Sequence, residues 1–230
     1  MTASSDGYIP PDDTRLWRYM KLNSFLELLS GHLIQTRIDV LNDAAEGAFG
    51  YKQIRLCGAA DTVQGIREAR TRVAATYWFE FEERESYGMW NVYGRTGESV
   101  AIETTVGALR DVLEREGQVR IERMRYEPMR GDIDDIATLF FHKRREYKEE
   151  REIRSVQVFD KPLKDSIVDQ RLSLDDLNTL VRRIILAPDS RQTFIDAVKH
   201  IVESVFAFNG KRFAGEICGS ALDEDLVPQE

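Results

Sequence analysis

A chain of 230 residues, 42% hydrophobic and 31% charged, has a globular composition and is long enough to bury a core without disulfide or metal staples. Its formal charge of −8 excludes a protein that holds nucleic acid mainly through a large basic surface, because phosphate binding needs a local excess of Lys and Arg; a local groove stays open. No run approaches the roughly 18 apolar residues of a spanning helix, and the first residues lack the basic start and apolar stretch of a signal peptide, so a cytoplasmic location is expected.

Residues 1–13 are polar, with paired prolines at Pro10 and Pro11 and paired acids at Asp12 and Asp13, and read as a flexible arm. A single α+β domain is expected over 14–222, followed by an acidic tail over 223–230. The run LWRYM (16–20) predicts a short strand, and Leu22, Phe25, Leu26 and Leu29 recur at helical spacing before a stop at Gly31. HLIQTRI (32–38) predicts a second strand and LNDAAEGAFG (41–50) a loop, since Asn-Asp favours turns and glycine frees the backbone. Residues 50–73 are expected to be mostly helical. AATYWFEFEE (74–83) reads as a strand running into a helix over 85–93, and SVAIET (99–104) as another strand.

Val106, Leu109, Val112 and Leu113 share one face of a helix expected over 105–115, and QVRIERMRY (118–126) alternates through Val119 and Ile121 as a strand. The pattern over 133–147 is helical, REIRSVQVF (151–159) is a strand, and RRIILAP (182–188) is a short buried strand ended by its proline. Phe194, Ile195, Val198, Ile201, Val202 and Val205 mark an amphipathic helix, and KRFAGEICG (211–219) a last strand. Strands and helices mix without regular βαβ alternation, and neither GxGxxG nor a P-loop opens a helix. The fold class expected is α+β, with a mixed or antiparallel sheet flanked by helices.

Serine-hydrolase and metallohydrolase chemistry lack their motifs, GxSxG and HExxH, and the three histidines, His32, His142 and His200, read as structural or bystander residues. Cys57 and Cys218 have no CxxC or Cys/His spacing, so no metal site is expected and both read as reduced thiols. Lys143, Arg144, Arg145, Lys148, Arg151 and Arg154 are dense, but Glu146, Glu149, Glu150 and Glu152 interleave with them as on a solvated, salt-bridged surface.

Within that run, strand alternation sets Glu150, Glu152, Arg154, Val156 and Val158 on one face and Arg151, Ile153, Ser155 and Gln157 on the other. Charges on the more apolar face must be paired or border a cavity, because an unpaired buried charge costs several kcal/mol. Two readings follow: a Glu152–Arg154 or cross-strand ion pair, or a carboxylate fixed by a guanidinium in a cleft. Arg18 shares a face with Leu16 and Met20, and either completes that cleft or extends to solvent. Ser86, Met89, Trp90 and Tyr93 line one helical face that serves core packing or ligand stacking. Asn42, Asp43 and Glu46 read as turn and cap formers in a loop open to function.

LWRYM, LNDAAEG, ESYGMWNVYG with SVAIET, and FFHKRREYKEEREIR, in this order over roughly residues 15–190, resemble the bacterial domain-of-unknown-function family 2971. Its most specific pieces here are ES-x-x-MW-x-x-Y and the E-x-E-x-R of Glu150, Glu152 and Arg154; Ala44 stands where the family's loop has proline. The order of first strand, second strand with Arg37, Asn-Asp loop and late Glu strand also looks like ADP-ribosyltransferases of the DNA-modifying toxin type.

That likeness implies an ADP-ribosyltransferase-like fold and NAD as substrate, with a carboxylate stabilising the oxocarbenium-like transition state. It implies Glu152 as that carboxylate with Glu150 second, Arg18, Arg37 and Arg154 among the dinucleotide-binding cations, and Tyr19, Trp90 or Tyr93 as rings for nicotinamide. A protein or nucleic-acid acceptor and an effector role in a toxin or anti-phage system follow as expectations. The alternatives are a non-enzymatic nucleotide- or protein-binding module and a Mg²⁺-dependent phosphodiesterase using Asp43, Glu46 and Glu152.

Overall fold

The computed structural model describes residues 8–41, 46–81, 83–94, 98–116 and 118–223. In chain order the regular elements are β1 (Arg15–Lys21), α1 (Leu22–Leu29), β2 (His32–Arg37), β3 (Ile54–Leu56), α2 (Thr62–Arg70), β4 (Val73–Glu80), α3 (Tyr87–Tyr93), β5 (Ser99–Thr105) and α4 (Val106–Leu113). They continue with β6 (Val119–Arg123), β7 (Gly131–Ile133), β8 (Glu152–Val158), β9 (Ile167–Arg171), α5 (Leu174–Leu180), β10 (Arg183–Leu186), α6 (Gln192–Phe208) and β11 (Glu216–Cys218). Strand pairing is mostly antiparallel and helices are interspersed, which is the expected α+β class.

The chain forms two compact units, the first of Met1–Pro11, Ile34–Phe79 and Leu113–Gln170, the second of Asp12–Leu33, Glu80–Val112 and Arg171–Glu230. In the first, β8 lies between β4 and β6, antiparallel to both, and β2 pairs antiparallel with β4. β3 and β7 form a separate parallel pair. Ala75 and Val156 of the sheet pack with Ile66 and Ala69 of α2 and with Leu139, Phe140 and Phe141. Each large apolar side chain buried in this way contributes roughly 1.5–3 kcal/mol. Asp61 starts α2 by accepting the Gln64 N–H at 2.8 Å, which satisfies a donor the helix itself leaves free. Gly47, at φ 67°, sits so close to the Phe140 ring that a β-carbon would collide with it.

In the second unit, β5 pairs antiparallel with β1 on one side and β10 on the other, and β10 pairs parallel with β11. All seven residues of β5 are buried, as befits a strand paired on both edges. Val198, Val202 and Phe206 give α6 its buried stripe, whereas Phe208 at the end of the helix is 91% exposed. Ser173 and Asp176 close a reciprocal capping box at the start of α5.

Three expectations are corrected. Residues 50–73 are not mostly helical, since Tyr51–Gln53 is a 3₁₀ turn and Ile54–Leu56 pairs with β7; the helix begins only at the Asp61 cap. The stretch 133–147 contains no α-helix: Ile136–Phe141 and Arg145–Glu150 are 3₁₀ turns separated by extended backbone at His142 and Arg144, and His142 bridges to Arg125 instead of continuing the coil. The last strand is three residues, Glu216–Cys218, rather than the whole of 211–219. β9 and α5 lie in a region for which the sequence pattern predicts no element. Among the described residues, no helix is long and apolar enough to cross a membrane.

Candidate functional site

β8 brings the Glu-x-Arg pattern into the first unit with six of its seven residues buried. Its register sets Glu152 opposite Phe79 and Arg154 opposite Tyr77 on β4, and Arg154 opposite Glu122 on β6. Glu152, Arg154 and Val156 alternate onto one face, where Val156 joins the apolar core and the two charged residues meet polar partners.

Arg154 is 0% exposed, and every guanidinium nitrogen donates: Nε to Glu152 Oε1 at 2.7 Å, Nη1 to Glu46 Oε2 at 2.6 Å and to the Phe140 carbonyl at 2.9 Å, Nη2 to Glu46 Oε1 at 3.1 Å. Its ζ carbon lies 4.9 Å from the centre of the Tyr77 ring. Glu152, 2% exposed, accepts from Lys143 Nζ on its second oxygen at 2.9 Å, and the same ammonium donates to Glu150 Oε2 at 2.6 Å. The Glu152 backbone N–H donates to Tyr126 Oη at 3.1 Å. The result is a chain of charges, Glu46–Arg154–Glu152–Lys143–Glu150, built from three segments.

Burial alone would raise the Glu152 pKa, but the guanidinium of Arg154 and the ammonium of Lys143 outweigh it and hold the carboxyl below its usual range. Burial likewise opposes the charged forms of Lys143 and Arg154, and their carboxylate partners reverse it, so both stay protonated more firmly than free side chains. Desolvation pushes the Tyr126 phenol up to about 12 and holds His142 below the ordinary imidazole value; His142 Nδ1 lies 2.9 Å from the Glu127 carbonyl.

The structure therefore pairs Glu152 with Arg154 and places Glu46 in the same network. Glu150 reaches it by a route that strand alternation does not provide. Arg151 adopts a left-handed conformation, φ 48°, which ends the 3₁₀ turn and breaks the alternation before β8. Lys143 and Tyr126 join the site although no motif marked them. Arg154 donates to both Glu46 oxygens and to Glu152 Oε1, and Lys143 donates to Glu152 Oε2, so all four carboxylate oxygens are engaged by cations. No group of three metal-ligating side chains occurs among the described residues. Asn42 and Asp43 lie outside the described residues.

Arg37 has become an anchor: Nε donates to Asp39 Oδ1 at 2.5 Å and Nη1 to the carbonyls of Leu163 and Asp165 at 2.8 and 3.2 Å. The other expected residues belong to the second unit. Trp90 is 0% exposed, edge-on to Tyr19 at 4.9 Å between centroids, and donates Nε1–H to Glu85 Oε2 at 3.1 Å. Tyr19 is buried beside it, and burial raises its phenol pKa further than the Glu85 charge does. Trp17 stacks on Phe81 at 4.6 Å and donates to Glu103 Oε2 at 2.8 Å. Arg18 and Tyr93 are half-buried in the same unit. Cys57 and Cys218 are free thiols, His32 contacts Arg171, and His200 lies on the exposed side of α6.

A cavity of about 530 Å³ adjoins the charge network within the first unit and is lined by residues that include Met124, Tyr126 and Arg145. Tyr126 connects the two through its bond from the Glu152 N–H, and the Met124 N–H donates to the Glu152 carbonyl at 2.9 Å.

No family model and no curated protein matches the sequence. Among solved structures the chain is similar to Thermus sp. 2.9 DarT in complex with carba-NAD+, at 10% identity and a TM-score of 0.43 over 91% of this chain and 96% of that one. It is similar also to Thermus sp. 2.9 DarT with ADP-ribosylated ssDNA (12% identity, TM-score 0.42, 91% and 95% covered) and with NAD+ (8% identity, TM-score 0.41, 91% and 96% covered).

Proposed function

We propose that this chain is an NAD-using enzyme of ADP-ribosyltransferase type, related to domain-of-unknown-function family 2971, with Glu152 as its catalytic carboxylate and Glu150 as its companion. The observation that supports the reading is a buried carboxylate at the first position of β8, kept ionised by Lys143 and Arg154, whose backbone N–H bonds to Tyr126 in the cavity lining. In the reaction the bond between ribose C1′ and the nicotinamide nitrogen breaks, and the electron pair leaves with nicotinamide. Positive charge then develops across C1′ and the ring oxygen. A fixed carboxylate stabilises that charge without reorganising at the moment of reaction. The acceptor forms the new bond to C1′ and releases its proton to solvent water. Glu150, with 14% of its side chain exposed against 2% for Glu152, is the acid nearer solvent. An effector role in a toxin or anti-phage system rests on the family resemblance.

The test is nicotinamide release from NAD by the purified chain, with cell extract, protein or single-stranded nucleic acid supplied as acceptor. Glu152→Gln keeps the shape and removes the charge, and is expected to lower the rate by about 10²-fold or more. Urea unfolding of the same variant separates lost chemistry from lost fold. Release that survives Glu152→Gln assigns the chemistry elsewhere, and no release with any acceptor sinks the transferase reading. A second reading, a binding module, is favoured by the complete bonding of Arg154 and of both Glu152 oxygens, which is also the pattern of a structural network.

A further inference from the structure

The cavity in the first unit has a chemistry of its own. Its volume of about 530 Å³ falls within the roughly 300–1,000 Å³ typical of small-molecule clefts. Tyr8, Phe49 and Tyr126 line it with aromatic surface, and among the described lining residues Arg125, Arg145 and Lys148 accompany one carboxylate, Glu127. A chain with a formal charge of −8 thus gathers positive charge around an aromatic hollow.

The lining groups divide into fixed and available ones. Arg125 Nη2 donates to Glu122 Oε2 at 2.9 Å, and its guanidinium lies 4.3 Å from the centre of the Tyr8 ring. Tyr8 Oη donates to Glu127 Oε1 at 2.9 Å, which engages that carboxylate and sets the ring. Arg145 and Lys148 are exposed and make no ion pair among the described residues. They stand three apart in the 3₁₀ turn Arg145–Glu150, where side chains at i and i+3 eclipse, so the two cations project from the same side.

We propose that this cavity binds a nucleotide unit: Arg145 and Lys148 take the phosphate, and the rings of Tyr8, Phe49 and Tyr126 offer faces to the base. Guanidinium and ammonium together match a phosphate, and an aromatic face accepts any base by stacking. A bare anion leaves the rings without an occupant, and an uncharged aromatic ligand leaves the two cations unmatched. The unit comes either as a free mononucleotide or as one residue of a single-stranded nucleic acid. The assignment rests on the cavity alone and holds whether or not Glu152 performs chemistry.

Calorimetric titration of the full chain at low salt tests it, using the four ribonucleoside 5′-monophosphates, adenosine, inorganic phosphate and a single-stranded DNA decamer. At least one monophosphate or the decamer binds, while adenosine and phosphate alone bind about tenfold or more weakly by comparison. Arg145→Gln with Lys148→Gln weakens nucleotide binding by about tenfold or more, whereas Arg67→Gln with Lys161→Gln, an equal loss of exposed charge in the same unit, leaves it unchanged. All four positions are exposed, and circular dichroism confirms the fold of each variant. Tighter binding of the decamer than of any monophosphate identifies nucleic acid as the source, and the reverse order identifies free nucleotide. Three results overturn the proposal: phosphate binding as tightly as the best nucleotide, nucleotide binding unaffected by the Arg145/Lys148 change, or no binding of any nucleotide. Nucleotide binding is read by heat and nicotinamide release by product, each on the unaltered chain, so failure of the one and failure of the other are distinguishable.

Discussion

Both units bury carboxylates, and they satisfy them differently. In the second unit Glu103 receives Trp17 Nε1–H at 2.8 Å and Arg15 Nη2 at 2.6 Å, and Glu85 receives Trp90 Nε1–H, the Ser220 hydroxyl at 2.6 Å and the Ala221 N–H at 2.7 Å. Those acids sit at the edges of a ring cluster whose stability comes mainly from packed aromatic area. In the first unit Arg154 and Lys143 each bind two carboxylates, so every member depends on the charge of its neighbours. A packed cluster loses stability in proportion to the atoms removed. A charge network loses most when one member leaves the others uncompensated.

The largest effect expected from this contrast is that of Arg154→Ala, which takes the guanidinium from buried Glu46, leaves Glu152 with Lys143 alone, and costs about 3–5 kcal/mol in urea unfolding. Trp90→Phe removes one N–H donor and three heavy atoms from a fully buried site, and costs about 2–3 kcal/mol. A smaller loss for Arg154→Ala than for Trp90→Phe breaks the contrast.

Lys143→Met comes next, at about 2–3 kcal/mol near neutral pH. Its cost depends on pH in a fixed direction. The folded-state pKa of Glu152 is depressed, so its contribution is complete above the unfolded value of about 4.3 and is lost as pH falls through the folded one. That of Lys143 is raised, so its contribution is complete below about 10.4 and is lost as pH rises through the folded value. The difference between wild type and Lys143→Met is therefore greatest between about pH 5 and 10, and a flat difference across that range and beyond excludes the ion pairs as its cause.

The smallest effect belongs to His142. Burial holds its pKa below the unfolded value of about 6.5, so stability is complete above that value and declines as pH falls toward the folded one. His142→Gln is expected to remove that decline, measured as Tm against pH.

The sequence made β8 and its Glu152–Arg154 pair legible because alternation and the cost of an unpaired charge both act locally. It concealed Lys143, which sits in a run of mixed charges that reads as solvated surface. The burial of Lys143 follows from the 3₁₀ turn Ile136–Phe141 and the extended backbone at His142, set by contacts with Arg125 and the core. The alternating pattern of residue types extends back to Glu150, and the left-handed Arg151 interrupts it in the fold. The resemblance offers Arg37 as a cation for phosphate, and nothing local in the sequence shows that its guanidinium also holds the Leu163 carbonyl, 126 residues away in the chain. The cavity draws on Tyr8, Phe49, Arg125 and Arg145, segments that no local pattern connects.

The ion network has an odd membership. Glu46, Glu150 and Glu152 contribute three formal negative charges and Lys143 and Arg154 two positive ones, which leaves −1. Each of these pairs is closed by hydrogen bonds, and the five groups together carry one more formal negative charge than positive, where little solvent reaches them. A neutral guest gains nothing from that excess. In the proposed transferase reaction the guest turns cationic part-way, and that is the moment at which it gains most from the excess.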